Sequence, residues 1–216
     1  MKTMDEETIR TLSMARHAAA DCQRCPLYLH ATQTVFGEGP DDAPVVFVGE
    51  QPGDREDMEG HPFVGPAGRL FDEMIGRVGI ERSTVYVTNA VKHFKFEPRG
   101  KRRIHQRPDG EEIVACRFWL DIERKLLRPR VIVALGATAA RSLLGRSGAT
   151  ISRLRGAPIM LEGGAQLFVT NHPSYLLRIS DPESRRRERE RFEADLVLVR
   201  KAMAGAEIPP PSHGGA

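Results

Sequence analysis

Apolar residues gather in short runs that close on glycine or asparagine, with helix-like stretches between them. "APVVFVGE" (43–50) is an unbroken apolar run of strand length. Lacking polar alternation, it reads as a strand covered on both faces, as in a parallel sheet. "STVYVTN" (83–89) and "PRVIVALG" (129–136) repeat the pattern, and "APIMLEGGAQLFVTNHP" (157–173) reads as two short strands around a Gly-Gly turn. Partial helical periodicity predicts helices over 5–20, 67–78 and 111–127, the last burying Ile113, Val114, Phe118, Leu120 and Ile122. "ATAARSLLG" (137–145) predicts a helix directly after the third strand. The last helix starts at a Ser180 or Asp181 cap with Pro182 in its first turn, and its "RRRERERFE" mixes signs as a solvated face does. Residues 51–68 are too rich in Gly and Pro for regular structure, and 90–110 reads as a long loop. Residues 1–203 are expected to form a single domain, with 204–216 as a disordered tail.

Strands alternating with helices imply a parallel sheet with helices on both faces. Ligands of such sheets bind beyond the carboxyl ends of the strands. "GEQPGD", "NAVKH" and "NHPSYLLR" follow three of the strands and so converge on one rim, from which the loop "GKRRIHQRPDG" (100–110) also hangs.

Composition narrows the picture. The chain has 216 residues, with 32 Lys and Arg against 29 Asp and Glu, a net charge of +3. That surplus is too small to demand an acidic partner, so any nucleic-acid footprint must come from local clusters such as Lys101, Arg102, Arg103 and Arg107. No apolar run approaches the ~20 residues that span a bilayer. "MKTMDEETIRTL" lacks the apolar core of a signal peptide, so a cytoplasmic location and no membrane partner are expected. Of the three cysteines, Cys22 and Cys25 form "CQRC" and Cys116 stands far away; for a cytosolic chain this favours a metal or redox role over disulfides.

Together, "GEQPGDREDMEGHPFVGPAGRLFDEM" and "HPSYLLR" resemble the two signature motifs of the uracil-DNA glycosylase superfamily, in its iron–sulfur branch. The resemblance runs from about Cys22 to the last helix. Within the branch, the GKRRIH insert resembles that of the X-type (UdgX-like) enzymes, which bind uracil-containing DNA covalently. The resemblance implies a three-layer α/β/α sandwich around a four-stranded parallel sheet, in agreement with the strand pattern. It also implies a [4Fe-4S] cluster on Cys22, Cys25, Cys116 and His93, the histidine standing where relatives carry a cysteine. Imidazole can ligate iron; zinc fits the same ligands.

The same resemblance assigns roles along the rim. Phe63 stacks on a flipped uracil, and Asn89 reads its edge, with Gln51 beside them. His172 donates to uracil O2 as the glycosidic bond breaks. His105 takes the place of the water that would attack C1′ and becomes linked to it, helped by Glu50. Lys101, Arg102 and Arg103 either clamp phosphates or hold the loop closed, while Ser174 and Arg178 hold phosphates. The expected partner is uracil-containing DNA, single strands included, met by a monomer that turns over once. Two other readings stay open: an ordinary turnover glycosylase of the same branch, and a non-enzymatic nucleic-acid-binding iron–sulfur module. "LGATAARSLLG" lacks the glycine spacing of a dinucleotide or P-loop site.

Overall fold

The computed structural model describes residues 8–145 and 150–205. The unbroken apolar runs form the expected strands: β1 (Val45–Gly49), β2 (Tyr86–Asn89), β5 (Val131–Leu135) and β7 (Gln166–Thr170). Every residue of β1, β2 and β5 is buried, which is why their sequences do not alternate. The sheet order is β2-β1-β5-β7-β6, with β6 (Ile159–Met160) antiparallel at the edge and the other four strands parallel. The predicted parallel four are present, and the strand pair read around the Gly-Gly turn supplies the fifth.

Alternate residues of each strand feed two cores. Val46, Val48, Ile132 and Ala134 pack with α1 (Leu12–Ala20), α4 (Gly110–Leu127) and α5 (Ala137–Leu144), and the short α6 (Ile151–Leu154) lies against the same core. Val45, Phe47, Val131 and Val133 pack on the other face with α3 (Pro66–Arg77) and α8 (Pro182–Met203). The result is a sandwich of three layers. Helix α4 opens with a capping box, Asp109 accepting from the Glu112 N–H and the Glu112 side chain accepting from the Asp109 N–H.

Three expectations need correction. Residues 90–110 are not one loop: β3 (Phe96–Arg99) and β4 (Arg102–His105) pair antiparallel as a separate hairpin. Its turn is Gly100–Lys101, with Gly100 at φ +59°, a conformation that a tight hairpin needs and glycine supplies. Residues 51–68, read as irregular, contain the short helix α2 (Asp54–Glu59), its first turn carrying Asp54, Glu56 and Asp57. Val114 is 71% exposed rather than buried, since the buried stripe of α4 follows Ile113, Cys116, Leu120 and Glu123 at helical spacing. Of the first predicted helix, residues 5–7 lie outside the described residues, as do 206–216 of the predicted tail.

Candidate active site and metal centre

Parallel register brings the strand ends together. Gly49 lies opposite Asn89, and Leu135 opposite Thr170. Glu50, Asn89, Gly136 and His172 therefore share one rim.

The buried corner where Asn89 and Phe63 meet over Gly49, called the recess below, lies at its centre. A Cβ on Gly49 would run into Asn89 Oδ1 and stand 2.9 Å from Phe63 Cζ. Only a residue without a side chain lets the amide and the ring approach each other there. Asn89 and Phe63 are 3% and 8% exposed. The Phe63 backbone sits at φ +61°, a left-handed conformation that costs a non-glycine residue on the order of 1 kcal/mol or more. It is held by contact with Gly68, where a Cβ would overlap the Phe63 carbonyl, and by ring packing on Phe71 at 5.2 Å between centroids. The left-handed backbone and this packing together fix where the ring lies. The His172 ring lies 6.3 Å away.

His172 caps α7 (Pro173–Arg178). Its Nδ1 accepts from the Ser174 N–H at 3.1 Å, and Ser174 Oγ is 2.8 Å away. A nitrogen that accepts from a backbone N–H carries no proton, so the neutral ring bears its proton on Nε2. Burial, with Arg178 and His105 adding, lowers the His172 pKa to about 4. The ring is therefore a neutral donor at pH 7. Ser174, expected on phosphate, also fixes this tautomer, and Arg178 donates to its hydroxyl at 3.1 Å.

The hairpin brings His105 to the same rim. His105 Nε2 is 3.3 Å from Glu50 Oε1. Glu50 also accepts from the Thr138 hydroxyl, and Arg107 stands 3.8 Å from Oε2. Burial lowers the His105 pKa; Glu50 opposes that, while Arg178 and Arg107 add to it. The ring is neutral at pH 7.

The roles of Gln51 and the cations divide. The Gln51 side chain donates to the Lys95 and Gln106 carbonyls at 3.1 and 2.9 Å and accepts from the Lys95 N–H at 3.1 Å. Its amide is spent on the base of the hairpin, not on a base-reading contact. Arg103 bonds Asp54 at 2.6 Å and the buried Asp57 at 2.5 Å, with its guanidinium over the Phe94 and Phe96 rings. Of the two alternatives for this arginine, the structure has it holding the hairpin down. Lys101 and Arg102 are exposed.

Behind Asn89 lies a fully buried ion pair, Lys92 with Glu123 at 2.6 Å. Lys92 Nζ also donates to Thr88 Oγ1 and to the Asn89 carbonyl, while Glu123 accepts from the Gly37 N–H, Tyr86 and Thr88. All of its partners are in place, as a buried pair requires. Sequence reasoning missed this pair, as it missed Gly49, Thr138 and Asp57. The apolar "NAVK" context of a fully buried lysine was the one available signal.

The four proposed metal ligands are buried on the side of the sheet where α1 and α4 pack. Sulfur atoms there receive N–H groups: Trp119 Nε1 donates to Cys22 and the Lys92 backbone to Cys116, each at 3.1 Å, and the Leu27 backbone to Cys25. Burial pushes the Cys116 thiol up to about 12, with Cys22 and Cys25 near enough to add to the effect. Nδ1 of His93 is buried without a hydrogen-bond partner, which costs about 1–3 kcal/mol unless something else occupies it. Donors aimed at three sulfurs beside one unpartnered nitrogen fit a cluster of several metal atoms. Among the described residues, no three His, Cys, Asp or Glu side chains are arranged around a single ion.

A ring, an amide and a neutral donor share the rim at the strand ends, the place where sheets of this kind bind their ligands. The chain belongs to the uracil DNA glycosylase superfamily, whose sequence pattern matches residues 36–197. It is similar to the Type-4 uracil-DNA glycosylase of Thermotoga maritima, 42% identical over 180 residues, 83% of this chain and 90% of that protein. The Type-4 uracil-DNA glycosylase of Archaeoglobus fulgidus is 36% identical over 184 residues, covering 82% and 86%. The Type-5 uracil-DNA glycosylase of Thermus thermophilus is 30% identical over 189 residues, covering 79% and 80%.

Proposed function

We propose that this chain excises uracil from DNA and is then linked to the abasic sugar through His105, acting once. The relatives support the excision. The observation that carries the capture is His105 Nε2 at 3.3 Å from Glu50, the residue that follows Gly49, over which Asn89 and Phe63 pack. Uracil leaves the base stack and enters the recess. The Phe63 ring stacks on it, and the Asn89 amide pairs with its O4 and N3–H. As the C1′–N1 bond breaks, its electron pair leaves on uracil, and the Nε2–H of His172 donates to the growing charge on O2. C1′ is left electron-poor. An imidazole lone pair of His105 forms the new bond there, and the Glu50 carboxylate balances the imidazolium that results. The exposed Lys101 and Arg102, with Arg178, meet phosphates.

The turnover reading is favoured by the Type-4 names of the relatives. Denaturing electrophoresis with a uracil-containing oligonucleotide separates the two. A shifted, denaturation-resistant band, absent from a thymine control, is expected, and it should map to the peptide holding His105. His105→Ser should lose the band yet release uracil repeatedly, because a smaller side chain admits water. Free abasic DNA from the wild type without the band establishes turnover instead.

Cys22, Cys25, His93 and Cys116 would hold a [4Fe-4S] cluster. When bound, such a group pins the N-terminal segment to the segments after β2 and within α4, contributing to folding. Purified protein is expected to be brown and to contain iron and sulfide; a colourless, zinc-loaded protein would refute the cluster.

A further inference from the structure

His93 is 4% exposed, and its two ring nitrogens have unlike surroundings. Nε2 lies 2.8 Å from Thr34 Oγ1, whereas Nδ1 is buried with no hydrogen-bond partner. Finished protein interiors seldom strand a ring nitrogen in this way. A metal-bound imidazole accounts for both facts. One nitrogen ligates, and the other gives its N–H to an oxygen that fixes tautomer and ring direction. Thr34 offers that oxygen on rigid backbone: the next residue, Val35, donates its N–H to the Lys92 carbonyl at 2.8 Å, which registers the Thr34 segment against the segment carrying His93. A cavity of about 180 Å³, lined in part by Cys22, Tyr28, Thr34 and His93, lies beside the pair.

Resting on the cluster reading above, we propose that His93 ligates iron through Nδ1 and that Thr34 is a positioning residue, accepting the Nε2–H and holding the ring in that tautomer. Histidine is longer than the cysteine it replaces and has two possible donor atoms. A fixed partner for one of them removes the choice.

The test uses iron-loaded protein purified from cells fed histidine carrying nitrogen-15 at Nδ1 only or at Nε2 only. The cluster is reduced by irradiation in frozen solution and read by pulsed electron paramagnetic resonance. A strong nitrogen-15 coupling is expected with the Nδ1 label and a weak one with the Nε2 label, both vanishing in His93→Cys. Thr34→Val keeps the side-chain shape and removes the acceptor. It should alter the nitrogen coupling and speed iron loss to a chelator by about 10-fold, while Thr34→Ser should behave as wild type. Strong coupling that follows the Nε2 label overturns the proposal, as does a Thr34→Val protein unchanged in both readouts. Absence of iron and sulfide from the purified protein refutes the cluster reading itself; iron with the wrong nitrogen refutes only the Nδ1 assignment.

Discussion

The recess and the hairpin share one rim but are held by different forces. Asn89 and Phe63 are fixed by parallel register, close packing over Gly49 and burial on the sheet. His105 sits on a two-stranded ribbon outside the sheet, pinned by the Gln51 amide and by the Arg103 bonds to Asp54 and Asp57. Close packing tolerates little displacement, whereas polar pins can be removed one at a time. On the function proposed above, the residues that read the base are thus part of the fold, and His105 is an attachment to it.

Gly49→Ala breaks the first region. The new methyl meets the Asn89 oxygen and the Phe63 ring, so excision should fall on the order of 100-fold, the cost of misplacing a binding group by about an ångström. Single-turnover uracil release measures it, and a variant as fast as wild type would show that the recess is not where the base is read. Arg103→Gln breaks the second region alone. It removes the charge that pairs Asp54 and Asp57, and losing a charged hydrogen bond of about 1.5 kcal/mol should slow adduct formation about tenfold. Uracil release should stay near the wild-type rate; equal loss in both would mean that the hairpin also shapes the recess.

The smallest effect is with pH. A histidine whose pKa lies below its ordinary value of about 6.5 is mostly neutral above that pH and charges chiefly further into acid. Adduct formation should change less than about twofold between pH 8 and 6.5, then fall as acid converts His105 to the non-nucleophilic imidazolium. A decline that is already marked between pH 8 and 7 contradicts a lowered pKa.

The two regions were also unequally legible. The four parallel strands stand out in the sequence because a strand buried on both faces must be apolar throughout. Asn89 and His172 are visible because each directly follows or ends such a run. The hairpin looks like a loop in the sequence because β3 and β4 are mostly exposed and carry no apolar alternation. Its pins are contacts between residues far apart in sequence, Arg103 with Asp54 and Asp57 and Gln51 with Gln106. No local pattern announces such pairs, and the sequence alone does not distinguish a base-reading glutamine after Glu50 from one whose amide holds the hairpin. The Phe63 φ of +61° was equally hidden, since nothing in "HPFVG" marks which residue takes the left-handed conformation.

The ends of the hairpin have a consequence for how this chain can change. The Gln106 N–H meets the Lys95 carbonyl at 2.9 Å, so residues 96–105 leave and re-enter the domain at nearly the same point. A segment with touching ends can be lengthened, shortened or deleted without pulling the strands apart, because the closure is already made and added length carries a slowly growing entropic cost. In lineages that share this sheet, the segment would be free to come and go as a unit. In the laboratory it is a transplantable piece, provided that the glutamine following the glutamate at the end of β1 travels with it.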